Sequence, residues 1–268
     1  DIDNAIDYLH GKGITLRGHN LLWSKEDELP EWLLNKPKTD LLKDIVNHIE
    51  LTVTYFKGEF AHWDVLNEHL EYDLLEKLIN RSDLINLAFQ TAHENDPNVK
   101  LFLNEEGILT NGNKTHGLLS ITKELLSENV PIYGIGLESH FTSVPDITAV
   151  HHRLDVIAEA GLPIWITELD VNITDPMQKA KAYRDLLQLY FSHPSVEGII
   201  FWGFWSEVHW RPAAALVDGF DFHINPSGHT VFNLLENKWS TQKVITVRRM
   251  QQTEHFKAFY GDYLLTVK

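Results

Sequence analysis

Short apolar runs alternate with stretches of helical periodicity along almost the whole chain. After a polar amphipathic segment, Asp1–Lys12, the run Ile14–Arg17 reads as a strand entering a loop. Leu42, Ile45, Val46, Ile49, Val53 and Phe56 then recur at helical spacing behind a cap at Thr39 or Asp40. Ala61–Leu66 is the next strand. It is followed by a helix from about Asp83 to Asn95, with Ile85, Ala88, Phe89 and Ala92 on one face and Asp96-Pro97 as its stop. Val99–Leu103 is a third strand, and a helix around Leu118–Ser127 leads into a fourth, Tyr133–Leu137. Asp146 caps a helix carrying Ile147, Val150, Leu154 and Ile157 that ends at Gly161, before the strand Pro163–Thr167. Asp175-Pro176 opens a helix with Tyr183, Leu186, Leu187 and Tyr190, its proline in the first turn where the missing N–H costs no hydrogen bond. Gly198–Trp202 closes the series, ahead of a long loop and a helix near Val231–Trp239.

The strands are short and β-branched and do not alternate cleanly, as parallel strands buried on both faces require. The order therefore predicts six β/α units, in a barrel or a doubly wound sheet. A nucleotide fold does not fit, because Gly134-Ile135-Gly136 lies inside a strand and lacks the third glycine of a phosphate loop. The 268 residues suit one α/β barrel, which commonly takes about 250. The tail differs: Lys243–Met250 and Ala258–Val267 read as two strand pieces joined by a turn at Gly261-Asp262. The expected division is a barrel domain over 1–240 and a small C-terminal β extension over 241–268.

Composition narrows the partners. A net charge of −15 argues against nucleic acid and anionic membranes, which need clustered Lys and Arg. No apolar run approaches the ~18 residues of a membrane span, and Asp1–Lys12 does not read as a signal peptide. With no cysteine, disulfides and thiolate metal sites are excluded. Eight tryptophans supply flat faces that suit the C–H faces of sugar rings. Asn80, Asn113 and Asn172 each begin an N-x-S/T triplet, a hint of glycosylation and secretion.

In a β/α barrel the working residues sit where the strands end. Those positions here hold His19, Asn67 and Glu68, Asn104 and Glu105, Glu138 and His140, Glu168 and Asp170, and Trp202. Glu68 and Glu168 each close an apolar strand directly. Cleaving a glycosidic bond takes a proton donor at the leaving oxygen and a carboxylate at the anomeric carbon, about 5–5.5 Å apart in the retaining route. A divalent-metal site from the same carboxylates with His140 is the rival, but no His-x-x-x-His or paired Asp spacing supports it. Trp63 and Trp165 lie mid-strand and read as core, Asp64 as a structural hydrogen bond or ion pair, and His151-His152 as solvated.

Four stretches, Arg17–Trp23, Trp63–Glu68, Gly134–His140 and Trp165–Asp170, stand in the order and spacing of glycoside hydrolase family 10, the endo-β-1,4-xylanases, which the chain resembles. The loop Trp202–Asp218 is most similar to the animal and plant branches. The resemblance implies a (β/α)8 TIM barrel of which strands 3–8 are visible, no cofactor, no metal, and xylan as substrate. It makes Glu68 the acid/base and Glu168 the nucleophile. Asn67 would bond the sugar 2-hydroxyl, and His140 would orient Glu168. His19 and Trp23 would line the sugar, with Trp202 and Trp210 closing over it, and Glu138 stands near Glu68; Asp170, read from its place alone, supports either the helix loop or the nucleophile. It also implies secretion.

Departures from the family are equally specific. The first two β/α units are not represented, so the missing strands are expected from a longer chain, or from another chain or segment. Ser24 replaces the histidine that usually follows the tryptophan, and Glu105-Glu106 replaces a common Asp-Tyr. The leading expectation is a retaining endo-β-1,4-xylanase. A β-1,4-glucanase of the same clan, and a non-catalytic carbohydrate-binding or storage protein on the same barrel, remain open beside it.

Overall fold

The computed structural model describes residues 1–246 and, beyond them, 253, 255–259, 263, 264 and 266. Helix α1 (Ile2–His10) leads to strand β1 (Arg17–Trp23), the short α2 (Glu31–Leu34) and the long α3 (Lys38–Tyr55). Strand β2 (His62–Asn67), α4 (Leu74–Ile79) and α5 (Leu84–Asn95) follow. Three β/α units come next: β3 (Lys100–Glu105) with α6 (Gly112–Ser127), β4 (Gly134–Phe141) with α7 (Ile147–Ala158), and β5 (Ile164–Val171) with α8 (Pro176–Ser192). After β6 (Val196–Phe201), a small hairpin of β7 (Val217–Asp218) and β8 (His223–Ile224) precedes α9 (Pro226–Phe232), which runs into a wider π-helical turn, Asn233–Lys238. Side chains of Asn111, Asp146, Asp175 and Asn225 cap α6 to α9 by accepting two backbone amides each.

The six main strands are parallel and stand in chain order, β1 to β6, each joined to the next by helix. Strands four apart in a flat sheet would be separated by about 19 Å. Yet His19 on β1 lies 3.9 Å from Glu168 on β5, and the Arg17 guanidinium sits 5.5 Å from the Trp165 ring. The sheet is therefore curled into a barrel wall, its inner face enclosing the polar side chains discussed below. Glycine makes one close approach possible: a Cβ at Gly18 would stand 2.2 Å from the Trp63 ring on the neighbouring strand. Helices α3 to α8 cover the outer face with a continuous apolar core that includes Ile49, Val53, Phe89, Leu118, Leu154, Leu186 and Tyr190. Among the described residues, β1 and β6 each pair on one side only, and no helix is long and apolar enough to cross a membrane.

Three expectations are corrected. The first strand begins at Arg17 rather than ending there, because the polar side chains of Arg17 and His19 turn into the barrel instead of marking a loop. Helix α6 starts at Gly112, well before Leu118, since the Asn111 cap supplies its start. The last helix starts at Pro226 behind the Asn225 cap, before Val231. The strand pieces expected over Lys243–Met250 and Ala258–Val267, with the turn at Gly261-Asp262, lie largely outside the described residues.

Candidate active site

The inner face carries its polar groups in layers set by strand register. Near the bottom, Asp64 takes a two-pronged bond from Arg17 (2.7 and 3.1 Å), whose Nε donates to His62 Nδ1 at 3.0 Å. Asp64 also lies 3.1 Å from His19 Nδ1 and fixes that ring. Burial pulls the His19 pKa down, but the Asp64 bond and the charges of Asp64 and Glu168 outweigh it and raise it. Trp63 is core, as its mid-strand place predicts, and Trp165 packs edge-on to His62 at 4.6 Å.

Above this layer stand Asn67, Asn104, Glu138 and Glu168, with Asn67 paired in register to Asn104 and Glu138 to Glu168. Asn104 is their hub. Its Nδ2 points at Asn67 Oδ1 (2.8 Å), Glu138 Oε1 (3.0 Å) and Glu168 Oε1 (3.3 Å), while its Oδ1 accepts from Thr167 Oγ1 at 2.6 Å. That amide reaches the barrel centre only because residue 136 is glycine: a Cβ there would lie 2.2 Å from Asn104 Oδ1. Burial, then the charge of Glu168, raises the Glu138 pKa far above the carboxylate range, so Glu138 is held as the neutral acid beside Glu168.

Glu168 is only 5% exposed. Its Oε2 lies 3.2 Å from His140 Nε2, and His140 Nδ1 lies 3.0 Å from Asp170 Oδ1. Burial lowers the His140 pKa, but its bonds to Asp170 and Glu168 and their charges lift it to about 9. The imidazolium is thus fixed between two carboxylates. Asp170 is steadied in turn by the Trp210 indole N–H at 2.6 Å and by Arg211 at 3.6 Å. Trp210 also packs on the His140 ring at 5.0 Å, and Trp202 stands edge-on to His19 at 5.6 Å. Trp210 is 55% exposed, with the Arg211 guanidinium 3.9 Å from its ring centroid.

Glu68 is built differently. It follows β2 in a left-handed conformation (φ 52°), with its N–H donating to Asn104 O at 2.9 Å and its carbonyl accepting from Glu71 and Tyr72. The buried Glu105 accepts the Leu70 N–H at 3.2 Å and ties down the same turn. Half-buried, Glu68 receives the Trp23 indole N–H on Oε2 at 2.8 Å. Burial raises the Glu68 pKa, the Trp23 bond opposes it, and the charges of Glu106 and Glu168 add to the rise. One carboxyl therefore sits in surroundings that favour the proton, and the other beside a fixed cation.

Two groups bring three potential metal ligands together: Glu138, His140 and Glu168, and, on the outer surface, His151, Asp155 and His193. In both, the imidazole is already engaged: His140 lies 3.2 Å from Glu168 and 3.0 Å from Asp170, and His193 Nδ1 accepts the Ser195 N–H at 3.2 Å.

The residues given catalytic, sugar-binding or supporting parts in the sequence converge on this opening. Four contributors were not singled out. Asn104 stood in the strand-end list without a role, and its directness after an apolar strand was the available signal. Thr167, and Lys179 with Tyr183 on α8, gave none. Lys179 Nζ donates to the carbonyls of Ala213 (2.8 Å) and Ala215 (3.2 Å), and Tyr183 Oη to that of Ala214 at 2.8 Å, anchoring the loop that carries Trp210. Lys179→Met should cost about 1–3 kcal/mol in urea unfolding, the penalty for stranding buried carbonyls; an unchanged midpoint would remove this anchoring role.

A family model described as "Glycosyl hydrolase family 10" matches residues 1–233. The anti-sigma-I factor RsgI6 of Acetivibrio thermocellus is 33% identical over 267 residues, covering 100% of this chain and 34% of that protein. Endo-1,4-beta-xylanase 3 of Arabidopsis thaliana is 29% identical over 270 residues, covering 100% of this chain and 35% of that protein. The chain thus spans about a third of the length of these two relatives. Xylanase 10B of Thermotoga petrophila, solved with xylobiose, superposes with a TM-score of 0.80 at 27% identity over 88% of this chain and 78% of that one. The curled six-stranded wall agrees with part of a (β/α)8 barrel.

Proposed function

The chain belongs to glycosyl hydrolase family 10, and from that membership we propose that it hydrolyses internal β-1,4 bonds of xylan with retention of configuration. The observation that carries this reading is the unequal setting of Glu68 and Glu168 around one opening. Glu168 attacks the anomeric carbon while Glu68 protonates the departing oxygen. The resulting glycosyl ester removes the charge of Glu168, which had helped to raise the Glu68 pKa. Glu68 then ionises more readily and draws the proton from the incoming water. Throughout, His140 holds Glu168 in line, and the Asn67 amide, whose oxygen is taken up by Asn104, keeps its N–H groups for the sugar 2-hydroxyl. His19, Trp23, Trp202, Trp210 and the neutral Glu138 wall the sugar.

The one-sided pairing of β1 and β6 supports a further part of this reading: additional β/α units, from the same polypeptide or another, pair with these edges in the working protein. Secretion belongs to it too, with glycans on the exposed Asn80 and Asn113 and the half-buried Asn172. A second reading, a non-hydrolytic carbohydrate-sensing module, draws on the match of the whole chain to an anti-sigma factor. A third, a glucanase, draws on a 31% identical relative named exoglucanase XynX.

Reducing-sugar release from xylan and from carboxymethyl cellulose separates the three. Release from xylan that disappears in Glu168→Ala is the expected outcome. Release from cellulose alone favours the glucanase, and xylo-oligosaccharide binding without turnover favours the sensing module.

A further inference from the structure

Behind the acid/base pair lies a carboxylate that the reaction does not use. Glu76, on α4, is 8% exposed. Its Oε2 accepts from Ser24 Oγ at 3.3 Å, and its Oε1 lies 3.2 Å from His69 Nδ1. Ser24 and His69 are the chain neighbours of Trp23 and Glu68, the two residues joined by the 2.8 Å indole–carboxyl bond. One buried side chain thus ties together the loops that leave β1 and β2, immediately behind the contact between them.

Burying a carboxylate is costly, and an apolar residue of similar size would stabilise the same place at least as well. What Glu76 provides and an apolar residue cannot is a hydrogen bond to one loop and a close polar contact, 3.2 Å, with the other. The backbone pairing of the two strands does not reach this height: it ends at Trp23 and Asn67, one residue short of Glu68.

We propose that Glu76 is a positioning residue that, through Ser24 and His69, holds the Trp23 indole against the Glu68 carboxyl. Its consequence for turnover rests on the acid/base reading of Glu68; the placement of the indole does not. The Trp23 bond stabilises ionised Glu68, so loosening it lets the Glu68 pKa climb. The other ionisable groups facing Glu68 are Lys25 after β1, Glu105 at the end of β3, Glu106 after it, Glu138 on β4 and Glu168 on β5, with the Tyr72 phenol close by. Ser24→Ala and His69→Ala leave all of these groups in place.

The test follows the Trp23 indole N–H signal by ¹⁵N NMR across pH, assigned with Trp23→Phe. In the unaltered chain this signal titrates with Glu68, above the ordinary carboxylate range, and the titration vanishes in Glu68→Gln. In the Ser24→Ala/His69→Ala double variant the midpoint should rise by about half a unit or more and the amplitude should shrink. His69→Asn, which keeps a donor at the Nδ1 position, should titrate like the unaltered chain. If the double variant does not fold, the two single variants carry the same test. A folded double variant that titrates unchanged overturns the proposal. The alkaline limb of kcat/KM on an aryl xylobioside separates the two readings. If the indole titration moves in a chain that never turned over substrate, the clamp stands and the acid/base role falls. If the chain is active and neither limb nor titration moves, the clamp falls.

Discussion

Alanine at Glu168 is expected to depress kcat/KM by on the order of 10⁴-fold or more on xylan and on activated aryl xylobiosides alike. In the proposed mechanism every turnover passes through its attack, whatever the leaving group. Alanine at Glu68 should divide those substrates. Xylan, whose leaving oxygen needs a proton, should lose roughly 10²–10⁴-fold. A dinitrophenyl xylobioside, which needs none, should form its glycosyl ester at a near-normal rate and stall at hydrolysis. Added azide should relieve that stall and yield the β-glycosyl azide, because the vacated carboxyl leaves room for a small nucleophile. The two environments motivate the asymmetry: Glu68 is half-buried with a raised pKa, whereas Glu168 lies 3.2 Å from an imidazolium. Equal losses on both substrates in Glu68→Ala, with no azide product, would contradict it. Stopped-flow and product NMR make the distinction.

Thermal stability should fall as pH rises from about 5 to 9. His140 has its pKa lifted to about 9 by Asp170 and Glu168 against the opposing effect of burial. The folded state therefore prefers its protonated form, a preference fully present below about 6.5 and lost as pH climbs through 9. That difference corresponds to about 3 kcal/mol. Glu105 acts in the same direction by another route. Burial raises its carboxyl to about 8, so the fold prefers the neutral acid, and this contribution is complete near pH 4.5 and lost as pH passes 8. Calorimetric Tm values should decline across this window, and Glu105→Gln, which is neutral at every pH, should flatten the decline. A Tm that stays level or rises from pH 5 to 9 would refute this account of both groups.

The elements most legible in the sequence were those whose inner residues are apolar or end abruptly in acid. Strands β2, β4 and β5 announced themselves by an apolar run closed by Asn67-Glu68, Glu138 or Glu168, and the structure carries these residues to one opening. Strand β1 was misjudged for the opposite reason. Its inward positions are Arg17 and His19, bound to Asp64 in a polar layer, and hydropathy cannot distinguish a buried ion pair from a loop. Periodicity also missed the starts of α6 and α9, which side-chain caps set. The cross-links of the site were the least legible. Asn104 touches groups from β2, β4 and β5, and Glu76 joins two loops, relations that exist only once the sheet curls.

The measurement closest to the central claim is the anomeric form of the first product. Proton NMR in the opening minutes of xylan hydrolysis, before mutarotation, should record the β-anomer. That is the result of two displacements, first by Glu168 and then by water drawn in by Glu68. An α-anomer appearing first would mean that water attacks directly, and Glu168 would then not be the nucleophile.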